Sequence, residues 1–307
     1  MSQKEVRLSF VTSCYSKSRL AFLEDLLHSI AHQSVQDTET IVVVDGPEAL
    51  VHEVECLVSS ISLSSPRVLR TATRMGASAS RNLGGANAAG DIIGFVDDDV
   101  VLEEHWAANA LKVFQHSGRV AALTGSAIPI WESAEDAWLP QALYWVISCT
   151  SWFRSNFVEV RNMWTMNSAI RKDVFLKAGG FDTKLGPRMG REAGYSSLAE
   201  DLELSLRLRS LDFQIFHVPS VACRHHVQGS QVRLSYIAAR SLWIGRSRKM
   251  LARLGVNRDV ERLALLSYFT VPLSGFRKER IQTLQQLAKA SVSIPISLIS
   301  IGVGYST

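Results

Sequence analysis

Three consecutive aspartates, Asp97, Asp98 and Asp99, interrupt an apolar run in GFVDDDVVL, residues 94 to 102. Burying an unpaired carboxylate is costly, so three of them beside a hydrophobic strand call for compensating charge. A divalent cation supplies it: magnesium and manganese take hard oxygen ligands, usually one or two carboxylates completed by phosphate oxygens and water. A solvated acidic turn, or an N-cap for a helix beginning near Glu103, meets the same need, and the triplet alone leaves both readings open. A second acidic pair, Glu200 and Asp201, lies in SSLAEDLELSLRL, residues 196 to 208. Ser197 and Glu200 have the spacing of a capping box ahead of a leucine-rich helix, and Glu203 and Arg207 that of an i, i+4 surface pair. Asp201 has neither duty. On its own it is an acid in the first turn of a helix, a position the helix dipole favours.

The elements that must position these acids follow from hydrophobic periodicity. VRLSFVT (6 to 12), TIVVVDG (40 to 46), RVLRT (67 to 71) and DIIGFVD (91 to 97) read as strands. Helical patterns separate them: Leu20, Leu23, Leu27, Ile30 and Ala31, then a stretch around 48 to 58, then a small-residue helix near 76 to 88. Such a β-α-β-α-β-α-β series calls for a parallel sheet with helices on its faces, an α/β class in which ligands bind outside the carboxyl ends of the strands. Asp45 and the triplet both fall there.

Composition sets the outer limits. The 307 residues are 47% apolar and 20% charged, which indicates a folded chain. Cys14, Cys56, Cys149 and Cys223 are dispersed, with neither a CxxC pair nor the density of a disulfide scaffold, and the opening MSQKEVRLSFVTS has no signal-peptide core. A cytoplasmic protein with reduced thiols is the expectation. The net charge of +4 conceals an asymmetry: residues 228 to 307 carry 12 Lys and Arg against 3 Asp and Glu, leaving about −5 on the first 227. No basic arm with interleaved aromatics is present, so nucleic acid is not an expected partner.

IVVVDGPEAL, RMGASASRNLGGANAAGDIIGFVDDDVVL, NSAIRKDVFLKAGGFD and AEDLELSLRLRSLDFQIFHVP occur in that order. The series resembles the motifs of family 2 glycosyltransferases with the GT-A fold, over roughly residues 6 to 227 and more weakly through HHVQGSQVRLSYIAARSLWIGRS. Among them it is most like members that act on lipid-linked or surface glycans. The resemblance implies a mostly parallel central sheet flanked by helices, an inverting reaction, a nucleotide-sugar donor and a divalent cation, manganese or magnesium. It also implies roles. Thr12, Asp45, Arg74, Arg81, Asp97 and Asp98 would contact the nucleotide or its ribose and phosphates. Asp99 would be the main metal ligand, with Asp97 and His225 completing the set; the HxV spacing favours His225 over His226. Asp201 would be the general base that takes the proton from the acceptor hydroxyl, worth about 10² to 10⁴ in rate, Glu200, its neighbour in the Glu-Asp motif, would contact substrate or nucleotide, and Asn167 would lie near the acceptor. The pattern is departed from at Ser13 and Cys14, where Pro and Thr are common, at Gly46 and Pro47, where a second acid and a serine are usual, and at Thr165, where glycine is usual.

Three regions remain. WESAEDAWLPQALYWVISCTSWF (131 to 153) spaces Trp131, Trp138, Trp145 and Trp152 seven apart, a packing stripe or an apolar entrance for a lipid. GGFDTKLGPRMGREAGYSS (179 to 197) reads as a glycine-rich loop, with Arg188 and Arg191 suited to a phosphate-bearing acceptor. The tail is basic: Leu234, Ile237, Ala238, Leu242 and Gly245 share one helical face, with Arg240, Arg246, Arg248, Lys249 and Arg253 around the rest. LALLSYFTVPLSGF (263 to 276) and ASVSIPISLISIGVGYS (290 to 306) are apolar but shorter than the ~20 residues of a membrane span. The expected organisation is a catalytic domain over 1 to 228, its nucleotide-sugar half about 1 to 100 and its acceptor half about 101 to 228. A basic helical appendage over 229 to 307 would then lie on an anionic membrane or pack on the domain. The expected function is sugar transfer from a nucleotide-sugar to a hydroxyl of a glycan or polyprenyl-phosphate-linked acceptor, on the cytoplasmic face of the membrane. A sugar-nucleotidyltransferase and a non-catalytic sugar-nucleotide binding protein are the alternatives; LSFVTSCYSKSRL lacks the glycine-rich triphosphate loop of the former.

Overall fold

The computed structural model describes residues 6–150, 157–185, 199–253 and 284–306. Strands β1 (Leu8–Cys14), β2 (Thr38–Val44), β3 (Pro66–Arg70) and β4 (Ile92–Val96) form the first half of the sheet. They lie in the order β3-β2-β1-β4 and are parallel throughout. β2 is buried at every position, as a strand covered on both faces must be. Alternate residues feed two cores: Phe10, Val42, Val44 and Ile92 pack on one side, and Val11, Ile41, Val43 and Phe95 on the other. Helices α1 (Leu20–Ala31) and α2 (Glu48–Ser60) cover the first side through Leu23, Leu27, Leu50 and Val54. Helix α3 (Ala77–Asn87) covers the second, and it needs its small residues: a Cβ on Gly84 would meet Val11 Cγ1 at 2.3 Å. The sequence-read strands and helices all exist, shifted by at most two residues.

The second half was not legible as a simple series. β5 (Val100–Leu102), α4 (Trp106–His116), β6 (Val120–Trp131), β7 (Val158–Glu159), β8 (Asn167–Arg171), α5 (Lys172–Lys177), α6 (Glu200–Ser210) and β9 (Gln214–Val227) follow. The sheet continues β4-β8-β6-β9-β5, with β7 paired to β9, and β8 runs antiparallel to both β4 and β6. The parallel β6–β9 ladder shifts register between Gly125 and Ala127. At that irregularity a Cβ on Gly125 would lie 1.5 Å from the Val221 carbonyl oxygen, so only glycine fits.

Asn167 closes the same defect. Its Nδ2 donates to the carbonyls of Ser126 at 2.9 Å and Val221 at 3.1 Å, and its Oδ1 accepts from Trp106 Nε1 at 2.6 Å. All of its polar atoms are spent inside the protein.

The aromatic stretch forms two 3-10 turns, Ala134–Asp136 and Gln141–Ile147, rather than one helix, since Pro140 separates them. Leu139, Leu143, Trp145 and Val146 join Ile237, Ile294 and Ile301 in a third core, with Trp131, Trp138 and Tyr144 packed against it. Ile237 belongs to α7 (Leu234–Arg253) and Ile294 and Ile301 to α8 (Leu284–Ser306), which carries Pro295 inside it. A buried hydrogen bond between the Ser241 and Ser297 hydroxyls, 2.9 Å, ties the two helices. The packing-stripe reading therefore accounts for Trp131, Trp138 and Trp145; Trp152, residues 186 to 198 and the segment 263 to 276 lie outside the described residues. Among the described residues, no helix is long and apolar enough to cross a membrane.

Asn167→Ala leaves the Trp106 indole N–H and two carbonyls short of partners, at about 1–3 kcal/mol for each group left unsatisfied in the core. Urea denaturation of this variant should show a loss exceeding about 2 kcal/mol; a midpoint equal to the parent's would show that water replaces the carboxamide.

Candidate active site

Asp45, Asp97, Asp98 and Asp99 follow the ends of β2 and β4, at the edge of a cleft of about 370 Å³. Across it lie Glu200 and Asp201 at the start of α6 and Arg240 from α7. Arg81 of α3 joins the two sides. Its Nη2 donates to Asp97 Oδ1 at 2.8 Å, its Nη1 to Glu200 Oε1 at 3.3 Å, and its guanidinium sits 5.8 Å over the Phe181 ring. Burial opposes the charge on this arginine, and the fields of Asp97 and Glu200 outweigh it and hold the proton on.

Glu200 reaches Arg81 because of where α6 starts. The N-cap position belongs to Ala199, which makes Glu200 the first helical residue rather than the third, and its carboxylate pairs with Arg81; Ser197, the other half of the expected capping box, lies outside the described residues. The expected Glu203–Arg207 surface pair is present, with Nε 2.6 Å from Oε1, but it does more than decorate the surface. Arg207 also donates to the carbonyls of Ala178 and Gly180, fixing the turn after α5.

The triplet is held by a residue the sequence did not flag. Arg19, at the N-cap of α1, pairs with both oxygens of Asp98 and lies 2.7 Å from Asp99 Oδ2. His225 Nε2 is 3.4 Å from that same Asp99 oxygen, while its Nδ1 faces Cys149 Sγ at 3.9 Å. His226 turns away to Asp25 at 3.0 Å. Burial drives the Asp98 carboxyl up to about 7, against the hydrogen bonds from Arg19 and with the help of the Asp99 charge. For Asp99 burial pulls the same way, but His225 and Arg19 win and hold it below the usual carboxylate range. Burial lowers the His225 imidazole; the Asp99 charge and hydrogen bond more than reverse that and raise it well above its ordinary value.

Among the described residues no three His, Cys, Asp or Glu side chains are grouped closely enough to hold a metal ion. The pair Asp99 Oδ2 and His225 Nε2, 3.4 Å apart, offers one oxygen and one nitrogen, so a hard cation such as magnesium or manganese would need phosphate oxygens and water to complete its shell. Binding there would displace the His225 proton and the Arg19 contact to Asp99.

Asp201 lines the cleft beside Glu200, and its Oδ1 accepts from the Leu202 amide at 2.7 Å. Burial first, then the Glu200 charge, lift its carboxyl from 3.8 to about 7, with Leu202, Arg81 and Arg240 opposing. A carboxylate raised into that range is a better base at neutral pH than an ordinary one.

Other expected contacts are placed differently. Asp45 lines the cleft, but its carboxylate already accepts from Thr71 Oγ1 at 2.6 Å, the Met75 amide at 2.8 Å and the Gly76 amide at 2.7 Å. It thereby shapes the turn into α3, where Gly76 has φ +89°. Arg74 lies exposed at the rim, 3.4 Å from the Tyr15 carbonyl and 5.9 Å over its ring. Thr12 is buried in β1, where alternation turns Ser13 instead toward the cleft. Asn167 is in the β6–β9 stitch described above. Arg188 and Arg191 lie outside the described residues.

Residues 9–179 match the model of Glycosyl transferase family 2, and the chain belongs to that family. It is a glycosyltransferase with the GT-A fold. A curated relative, the glucosyl-dolichyl phosphate glucuronosyltransferase of Haloferax volcanii, is 23% identical over 303 residues, covering 98% of this chain and 95% of that protein. Among solved structures, the mannosyltransferase PcManGT from Pyrobaculum calidifontis, in complex with GDP-Man and Mn2+, superposes with TM-score 0.64 at 14% identity, over 99% of this chain and 88% of that one. S. aureus TarS 1-349 in complex with UDP gives 0.53 at 14% identity, over 96% and 80%.

The Asp201 shift has a thermodynamic consequence. A carboxyl whose pKa rises on folding keeps its proton longer in the native state, so stability is full below the unfolded value and declines as pH climbs from about 4 towards 7. Asp201→Asn removes that penalty. Without divalent ions it should melt several degrees above the parent at about pH 8 and level with it at about pH 4; equal melting points at both would refute the burial account.

Proposed function

We propose that the protein is an inverting, divalent-cation-dependent glycosyltransferase that moves a sugar from a nucleotide-sugar onto a hydroxyl of a lipid-linked acceptor. The observation that carries this reading is the opposition of the Asp97, Asp98 and Asp99 cluster to Asp201 over one cleft, registered by Arg81. Asp99 and His225, with Asp97 beside them, would hold the cation, which when bound neutralises the departing diphosphate. Asp97 would accept from a ribose hydroxyl, Asp98 would keep Arg19 in place beside it, and Asp45 would present the turn at residues 75 and 76 to the nucleotide. Glu200 and Arg81 position Asp201. As the acceptor oxygen attacks the anomeric carbon, Asp201 takes its proton on one side while the diphosphate leaves on the other, so the product has the opposite anomeric configuration.

A polyprenyl-phosphate-linked acceptor is supported by the Haloferax relative, whose name gives a dolichyl-phosphate-linked sugar as acceptor and which aligns over nearly the whole chain. Such an acceptor sits at a membrane, and α8 turns Val292, Ile299 and Val303 outward, 46%, 66% and 48% exposed, beside a strongly basic tail. We place this stripe on an anionic membrane surface on the cytoplasmic side.

Two sets of measurements check the reading. Asp99→Asn and Asp201→Asn should each cut turnover by at least about 10². Only the former should weaken manganese-dependent binding of the donor, and NMR of the product should show anomeric inversion. Parental turnover in either variant, or retention at the anomeric carbon, would contradict the mechanism. Separately, the protein should co-sediment with vesicles containing phosphatidylglycerol, and an Ile299→Asp, Val303→Asp double variant should remain in the supernatant; equal pelleting of both would remove α8 from membrane contact.

A further inference from the structure

Among the described residues three arginines line the cleft, and two of them are neutralised within it. Arg19 is spent on Asp98 and Asp99, and Arg81 on Asp97 and Glu200. Arg240 is different: its Nε is buried without a hydrogen-bond partner among the described residues. A guanidinium offers five donors in a planar fork, and a buried donor left unmade costs about 1–3 kcal/mol, so a half-buried arginine lining a cleft with its Nε unpaired is a recognition element for an anion. Asp201 stands close enough to feel its charge, while among the described residues no salt bridge joins the two. The sequence pattern had grouped Arg240 with the solvent-facing basic residues of α7; the structure turns it inward.

Its surroundings define the ligand further. Arg240 shares its end of the cleft with Trp145, Tyr236 and Ile244, contributed by the 3-10 turn Gln141–Ile147 and by α7 itself. The donor end, by contrast, is walled by Asp45, Asp97, Asp98 and Asp99. A cation beside an apolar wall, next to the carboxylate that receives the acceptor proton, suits an amphiphile with an anionic head and an apolar chain.

We propose that Arg240 is the subsite for the phosphate of the acceptor lipid, with Trp145, Tyr236 and Ile244 receiving the first part of the apolar chain. This rests on the lipid-linked acceptor reading given above and adds a specificity residue to it. The phosphate then lies one sugar away from the hydroxyl that attacks, so Arg240 fixes which hydroxyl meets Asp201. Bidentate recognition of a phosphate by arginine discriminates against neutral head groups, whereas the apolar wall alone does not.

The test uses the full-length protein and two probes, decyl phosphate and the neutral decyl glucoside, with binding followed calorimetrically in EDTA so that no cation can hold phosphate at Asp99. The wild type should bind decyl phosphate at least about tenfold more tightly than decyl glucoside. Arg240→Gln should erase that preference while leaving decyl glucoside affinity unchanged, and Arg240→Lys, which keeps the charge without the fork, should retain part of it. Undiminished preference in Arg240→Gln, or no preference in the wild type, would overturn the assignment. Should Arg240→Gln fold poorly, the comparison of Arg240→Lys with wild type still decides, because a residue with no anion to bind would show no change in preference. Loss of the lipid-acceptor reading is separable: a wild type that prefers decyl phosphate through Arg240, yet transfers sugar only to soluble neutral glycans, keeps the anion subsite and discards the acceptor.

Discussion

One buried guanidinium sets the geometry on which the rest depends. Arg81, 8% exposed, reaches Asp97 at the end of β4 and Glu200 at the start of α6, residues 103 apart in the chain. Taking a charge out of water is repaid only when its donors are matched, and breaking such a pair by removing one partner is worth about 3–5 kcal/mol because the other charge is stranded. The arrangement is therefore intolerant of drift. It holds the acids of the parallel half against those of the antiparallel half at the spacing of one cleft. The small residues of α3 serve the packing of that same helix: Gly84 lets it sit down on Val11.

The aspartate cluster shows a second principle, like charges held together by protein cations. Asp98 and Asp99 are both buried or nearly so, and Arg19 with His225 supplies the positive charge that keeps the cluster stable without a ligand. The Arg19 bond to Asp98 is two-pronged, whereas Asp99 is shared between Arg19 and His225. Asp99 is thus the oxygen most readily handed to another cation, and Asp98 the one that stays with the protein. A cation held there would require His225 to bind in its neutral form.

Much of this was legible in the sequence, and the boundary of legibility is physical. The four parallel strands and their helices are periodic and local, so alternation and 3.6-residue spacing find them, as they do β2 and α1. The acids stood out because carboxylates beside apolar strands need a reason. Arg19 did not: an arginine at the start of a helix looks like any other until β4, 79 residues later, is folded beside it. Asn167 was read as an acceptor-side group, and only the register shift between β6 and β9 reveals the carbonyls it satisfies. Thr12 is buried in β1 while its neighbour Ser13 lines the cleft, since a strand turns successive side chains to opposite faces. Arg240 was counted with a basic helix surface because periodicity cannot say that the third core, built from the aromatic turns with α7 and α8, rotates it into the cleft.

The central claim is that Arg81 couples the donor-side acids to the acceptor-side acids as one unit. A double-mutant cycle on unfolding free energy, pairing Asp97→Ala with Glu200→Ala, measures that coupling directly. The account predicts a departure from additivity of about 0.5–3 kcal/mol that vanishes when the cycle is repeated on Arg81→Met. Additive losses in both backgrounds would contradict it, because the two sides of the cleft would then be held in place independently.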